Sequence, residues 1–376
     1  MTETASRGAL DRIVESRSAA GERFFEAEAE RIAQLCRLMA ERFTRGGRLV
    51  AAASSPQGWS DAHHVAVEFV HPVIVGKRAL PALAVSAGDV AAVVRKGDML
   101  MTFDEQPTTD ADVMTISFSR SGAEWELDPP STDPYERQEL AETAYHVLWE
   151  LVHVFFDHLG GSTAGAGASS FLYPFLDEGA RDLGAVEDDV RRSVLMKAQE
   201  AADLRARTIG GGGTELLDAA DALDRVFAAG GTLYAFGNGG SATDSMDLVA
   251  DLRHPLRGGA PRRAVDLAAD SAILTALAND IGPDVLFARQ LIAAARPGDA
   301  AIAFSTSGNS ANIVEALAEA RRRGLVTIAF VGYDGGRVAE ERLADHVVVT
   351  PSEHIPRIQE AQATAYHSLC QLLGPA

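Results

Sequence analysis

An α/β fold in two tandem domains, each a parallel sheet sandwiched by helices, is what the sequence predicts, on three observations. The chain has 376 residues, more than one hydrophobic core ordinarily organises, so two domains are expected. Its second half repeats its first in order: "RQELAETAYH" (137–146) lies against "IQEAQATAYH" (358–367), and four further pairs follow the same sequence, the signature of an internal duplication. Between helical stretches stand short apolar, β-branched runs without polar alternation, such as "GTLYAFG" (231–237) and "DAAIAFS" (299–305). Runs of that kind suit strands buried on both faces, and strands alternating with helices give a parallel sheet between helix layers.

Taken in order, "AERFTRGGRLV" (40–50) reads as a helix end, a glycine turn and a strand, and it answers "LDRVFAAGGTLY" (223–234). A helix, "SDAHHVAVEFVHP" (60–72), answers "TDSMDLVADLRHP" (243–255); His71 and His254 each precede proline and read as a structural turn repeated in both copies. Strands follow in "RKGDMLMTF" (95–103) against "RPGDAAIAF" (296–304), and in "DVMTISFSRSG" (112–122) against "LVTIAFVGYDGG" (325–336). "HVVVTP" (346–351) adds a strand to the second half. The small residues of "GGSTAGAGASS" (160–170) read as a flexible connector. The helical stretch around 186–209 then opens the second domain. The expected organisation is 1–159, a linker at 160–185, and 186–376, the two flavodoxin- or Rossmann-like domains forming a pseudo-dimer.

Composition narrows the function. The formal net charge of −19, with no Lys/Arg run, excludes nucleic acid and anionic membrane as partners. Two cysteines, Cys36 and Cys370, support neither a disulfide framework nor a cysteine zinc site. The charged N-terminus has no signal-peptide core, and no apolar run approaches the ~20 residues of a membrane helix. A soluble, cytoplasmic protein is expected.

Two loops of the second half leave strand ends and open helices, where ligands sit in such folds. "FGNGGSATDS" (236–245) is glycine-rich, which lets the backbone approach an anion and presents free N–H groups. In "FSTSGNSANI" (304–313), Ser305, Thr306, Ser307 and Ser310 offer hydroxyls around Gly308. Either loop alone reads equally well as a helix cap. Together, at consecutive strand ends, they point to phosphate.

GNGGS, "ALAND" (276–280), STSGNS, "DGG" (334–336) and "RIQEA…H" (357–367) resemble the sugar isomerase (SIS) domain family in its phosphoheptose isomerase branch, over about 186–374. The resemblance implies a zinc-dependent isomerase of sedoheptulose 7-phosphate, with a metal set of His and Glu four apart on the helix after GNGGS and Gln and His eight apart on the last helix. It implies Asn238, Gly239, Gly240, Ser241, Asn279, Asp280, Ser305, Thr306, Ser307, Ser310 and Gln359 as substrate contacts. At the metal positions the second half keeps Gln359 and His367 but carries Asp247 and Asp251, which differ in reach and ligand type.

The first half shows the reverse pattern. His64 and Glu68 are an i, i+4 pair on one helix face, and Gln138 and His146 lie eight residues apart, ~80° around a helix. All four match the implied zinc set. The glycine loop is here "AAASSPQGWS" (51–60), the serine loop "DEQPTTD" (104–110), and the ALAND segment is largely missing. Complementary losses suggest a composite site, metal from one half and phosphate donors from the other. Without the resemblance, a His/Glu i, i+4 pair is an ordinary helix pairing, and Arg253 beside Asp251 is a simple neutralising charge.

Two functions follow. In the first, the protein isomerises a sugar phosphate through a cis-enediol, with Glu68 as base, His146 as its partner and zinc polarising the oxygens. Asp251 and His367 stand in reserve should the second half act alone. In the second, it binds a sugar phosphate without chemistry, as a regulatory or scaffolding protein. A homodimer of two-domain chains, four SIS domains in all, is expected in either case.

Overall fold

The structure, a computed structural model, describes residues 3–73, 77–159 and 183–373. It contains two compact units: Ser18–Glu200, the N-terminal unit, and Met1–Arg17 with Ala201–Ala376, the C-terminal unit. These differ from the boundaries expected at 159 and 186. The first helix, α1 (Glu3–Thr44), begins in the C-terminal unit, and the 46-residue α5 (Leu183–Ala228) changes unit after Glu200. The cause is apolar: Val186, Val190 and Val194 of α5 are buried in the N-terminal core, whereas Leu10 of α1 is buried in the C-terminal one. Most of the expected linker, 160–182, lies outside the described residues.

In the N-terminal unit, β1 (Leu49–Ala53), α2 (Pro56–Val70), β2 (Ala82–Ser86), α3 (Val90–Val93), β3 (Met99–Thr102), β4 (Met114–Ser117), β5 (Trp125–Glu126) and α4 (Pro134–Leu159) follow in order. All strand pairs are parallel, in the order β2-β1-β3-β4-β5, with Leu49 opposite Ala82 and Met99. The central strands β1 and β3 are buried on both faces. Leu49, Ala51 and Ala53 enter the cluster containing Trp149 and Phe69, while Val50 and Ala52 enter a smaller one with Val85, Val90 and Leu100.

The C-terminal unit runs β6 (Leu233–Phe236), α6 (Gly240–Arg253), β7 (Ala264–Asp266), α7 (Ser271–Asp280), α8 (Leu286–Ala294), β8 (Ala300–Ser305), α9 (Ala311–Arg322), β9 (Val326–Gly332), α10 (Gly336–Glu340), β10 (His346–Thr350) and α11 (Ile355–Leu372). Its sheet is also wholly parallel, ordered β10-β9-β8-β6-β7. Counted within each unit, the strand order is the same. Leu233 and Ala235 face one cluster and Tyr234 and Phe236 another. This two-sided burial is the physical reason for the unbroken apolar runs in the sequence. The four-residue α3 stands where the C-terminal unit has α7 and α8, which is the structural form of the missing ALAND segment. No helix among the described residues is long and apolar enough to cross a membrane.

Candidate functional site

The N-terminal unit brings its expected metal set together between α2 and α4. His64, Glu68 and His146 are buried, and their ligand atoms lie within 4.8 Å of one another. His64 Nε2 is 3.2 Å from His146 Nε2 and 3.9 Å from Glu68 Oε1. Tyr145 donates its hydroxyl proton to Asp61 Oδ1 at 3.3 Å and lies 3.2 Å from His64 Nδ1. A tyrosine hydroxyl that donates to Asp61 can accept from His64 Nδ1–H, the tautomer that would turn the Nε2 lone pair to the cluster. Gln138 Nε2 donates to Asp61 Oδ2 at 3.4 Å, which brings the fourth member of the set to the same anchor.

Glu68 is the electrostatic extreme of this group. Burial, with the Glu150 charge second, pushes its carboxyl up to about 8. Its Oε2 is shielded from solvent and has no hydrogen-bond partner among the described residues. Glu150, one turn beyond His146, is paired with Lys197 of α5 at 2.5 Å, both side chains almost wholly buried. A converging His, His and Glu with an orphaned carboxylate oxygen is a donor set that fits a divalent metal of zinc's type. His63, by contrast, packs edge-on against Trp59, outside the cluster.

The equivalent positions of the C-terminal unit also converge, with different chemistry. Asp247, Asp251 and His367 lie within 4.8 Å of one another and are buried. His367 Nε2 is 3.2 Å from Asp247 Oδ2 and 3.5 Å from Asp251 Oδ2, and Tyr366 donates to Asp247 Oδ2 at 2.8 Å. Gln359 is buried on the same helix. Arg253, the alternative neutralising charge for Asp251, donates its Nε–H to Ala264 O at 2.7 Å.

The two loops expected to hold phosphate lie at the carboxyl ends of β6 and β8, side by side in the sheet. The side chains of Asn238 and Asn312 tie them together by reciprocal 2.9 Å amide hydrogen bonds. The N-cap residues are Gly239, φ 57°, for α6 and Ser310 for α9, and neither makes a side-chain cap bond. Ser310 stands at the N-cap of α9, but its hydroxyl makes no cap hydrogen bond. Ser305 Oγ accepts from Gly308 N at 3.1 Å, and Ser307 Oγ accepts from Asn309 N at 3.2 Å. Gly308, φ 64°, is required: a Cβ there would stand 2.1 Å from Gly335 O of the DGG turn, whose Arg337 N–H in turn donates to Asn309 Oδ1 at 3.0 Å. Ser241 is buried at the first turn of α6, Thr306 is half-buried, and Gly240 opens the helix. Asn279 and Asp280 are exposed at the end of α7, where Asn279 Nδ2 donates to Asp280 Oδ1 at 2.7 Å.

Spacing did not single out Asp61, Tyr145, Glu150, Lys197 or Asn312. The echo of Tyr145 in Tyr366 was the available signal for the tyrosine, since each reaches the helix that follows its unit's first strand. Lys197 carries no local signal, because its partner is 47 positions away in the chain.

Residues 198–332 match the SIS domain family. A probable phosphoheptose isomerase of Thermoplasma acidophilum is 38% identical over 160 residues, 42% of this chain and 87% of that protein. The phosphoheptose isomerase of Rhodospirillum rubrum is 38% identical over 192 residues, 51% of this chain and 98% of that one. Among solved structures, the C-terminal domain of glucosamine-fructose-6-phosphate aminotransferase from Francisella tularensis covers 97% of this chain and 94% of its own, with a TM-score of 0.57 and 11% identity. That likeness concerns the fold alone, and it spans both sheets.

Proposed function

The chain belongs to the SIS domain family, with phosphoheptose isomerases as relatives, and from that membership we propose that it is a sugar-phosphate aldose-ketose isomerase acting on a substrate of the sedoheptulose 7-phosphate type. The observation that carries the reading is the pair of loops joined by Asn238 and Asn312, each opening a helix whose start has no side-chain cap. Backbone N–H groups of Asn238, Gly239 and Gly240 and the hydroxyls of Ser241, Ser305, Thr306, Ser307 and Ser310 hold the phosphate and orient the sugar. Gln359, Asn279 and Asp280 complete the substrate contacts. The tandem arrangement is a duplication whose copies have diverged at these loops, and two chains associate as a homodimer, which sedimentation measures.

The reaction moves one proton between adjacent carbons and another between their oxygens. Glu68 takes the carbon-bound proton and returns it to the neighbouring carbon. His146 moves the hydroxyl proton. His64, Glu68, Gln138 and His146 would hold zinc, which when bound supplies electrostatic stabilisation of the enediolate oxygens. Tyr145 and Asp61 keep His64 in the tautomer this requires.

One observation favours the non-catalytic reading: the unit with the phosphate loops carries Asp247 and Asp251 where the family's metal set has His and Glu. The same positions supply a reserve acid–base pair, Asp251 and His367. Metal analysis and an isomerase assay with sedoheptulose 7-phosphate separate these cases. We expect near-stoichiometric zinc, absent from the His64→Ala, His146→Ala double variant, and a kcat at least ~10²-fold lower for either single variant. Retained activity there with loss in His367→Ala would move the chemistry to the C-terminal unit. Binding without turnover in the zinc-loaded wild type would leave a sugar-phosphate-binding protein.

A further inference from the structure

The start of α2 differs from those of α6 and α9: it has a side-chain cap, and the two backbone N–H groups just before the helix already hold an anion. Asp104, two residues beyond β3, reaches back to the loop between β1 and α2, and its Oδ2 accepts from Ser54 N at 2.9 Å and Ser55 N at 2.7 Å. β1 and β3 are adjacent parallel strands, as β6 and β8 are in the other sheet. The carboxylate therefore comes from the loop that corresponds to STSGNS and lies on the backbone of the loop that corresponds to GNGGS.

The surroundings fit this placement. Gly58 makes room for it: a Cβ at residue 58 would lie 3.0 Å from Asp104 Oδ2 and 2.9 Å from Ala53 Cβ. Ser119 Oγ donates to the Asp104 carbonyl at 2.5 Å, fixing the base of the side chain. Ser55 Oγ accepts from Gly58 N at 3.0 Å, which caps the first turn of the helix. The other carboxylate oxygen, Oδ1, is shielded from solvent and has no hydrogen-bond partner among the described residues. A carboxylate accepts this one-sided arrangement because the two convergent N–H groups favour negative charge. Ser54 is exposed, so the cradle lies within reach of solvent anions. A tethered carboxylate, always present at high effective concentration, outcompetes them.

We propose that Asp104 closes the N-terminal unit to phosphate by filling its anion cradle from within, so that the chain holds a single phosphorylated sugar, at the loops of the C-terminal unit. The closure stands on the N-terminal unit alone; the count of one also rests on the function proposed above.

Equilibrium dialysis with labelled inorganic phosphate counts the sites on the full chain. One equivalent is expected for wild type and two for Asp104→Gly. In the Ser307→Ala, Ser310→Ala background the expected counts are none with Asp104 present and one with Asp104→Gly. Asp104→Ser, which likewise removes the carboxylate, serves if glycine costs the cooperative melt. Two equivalents in wild type, or no gain on removing Asp104 from a folded protein, would overturn the closure. No binding by wild type but one equivalent in Asp104→Gly would uphold the closure and sink the phosphate reading of the C-terminal loops.

Discussion

Glu68, the proposed base of the N-terminal cluster, is also its main liability. Below about 4.5, the ordinary value, its carboxyl is protonated in folded and unfolded chains alike; between there and about 8 only the unfolded chain ionises. Metal-free protein therefore loses stability as pH rises through this window, by at most roughly 5 kcal/mol at about 1.36 kcal/mol per unit. Thermal melts of chelator-treated protein should fall from pH 5 to pH 8, Glu68→Gln should flatten that slope, and added zinc should reverse it. A flat profile in the metal-free wild type would show that water reaches the carboxylate. His64 and Glu68 were legible because i, i+4 spacing fixes a helix face whatever the fold. Asp104 was not, since a carboxylate in a loop reads as solvated until the strands set it on Ser54 and Ser55.

At the scale of elements, the phosphate loops depend on each other. The Asn238–Asn312 pair joins the turn after β6 to the first turn of α9, with Asn238 exposed and Asn312 buried. Asn238→Ala and Asn312→Ala should each cost about 1 kcal/mol of stability and weaken sugar-phosphate binding several-fold. The double variant should cost little more than either, because one shared pair is lost. Additive losses in melts and titration would mean that the loops are held separately. Helices and central strands were readable from their apolar runs. The edge strands Trp125–Glu126 and Ala264–Asp266 were not, because two or three residues carry no period.

On the scale of the molecule, the compact units divide the chain at 17/18 and 200/201. A fragment spanning 1–159 lacks Val186, Val190 and Val194, each worth ~1.5–3 kcal/mol when buried, and leaves Glu150 without Lys197. Breaking such a buried pair costs about 3–5 kcal/mol. Together these losses rival the whole stability of an ordinary domain, ~5–15 kcal/mol. The fragment 1–159 should show no cooperative denaturant transition, while 18–200 should show one. Equal melts for both would place the boundary nearer 159.

The sequence by itself determined the class of fold, the repeated strand–helix order, the two loops and the two sets of polar helix positions. Each of these is local: a period, a glycine turn, a spacing along one helix. Only the tertiary structure decided that α1 and α5 each serve two cores, that Asp61 and Tyr145 orient His64, that Lys197 balances Glu150, and that Asp104 fills the cradle it faces. Those outcomes join residues distant in the chain through burial and charge, and burial exists only once the strands and helices have packed.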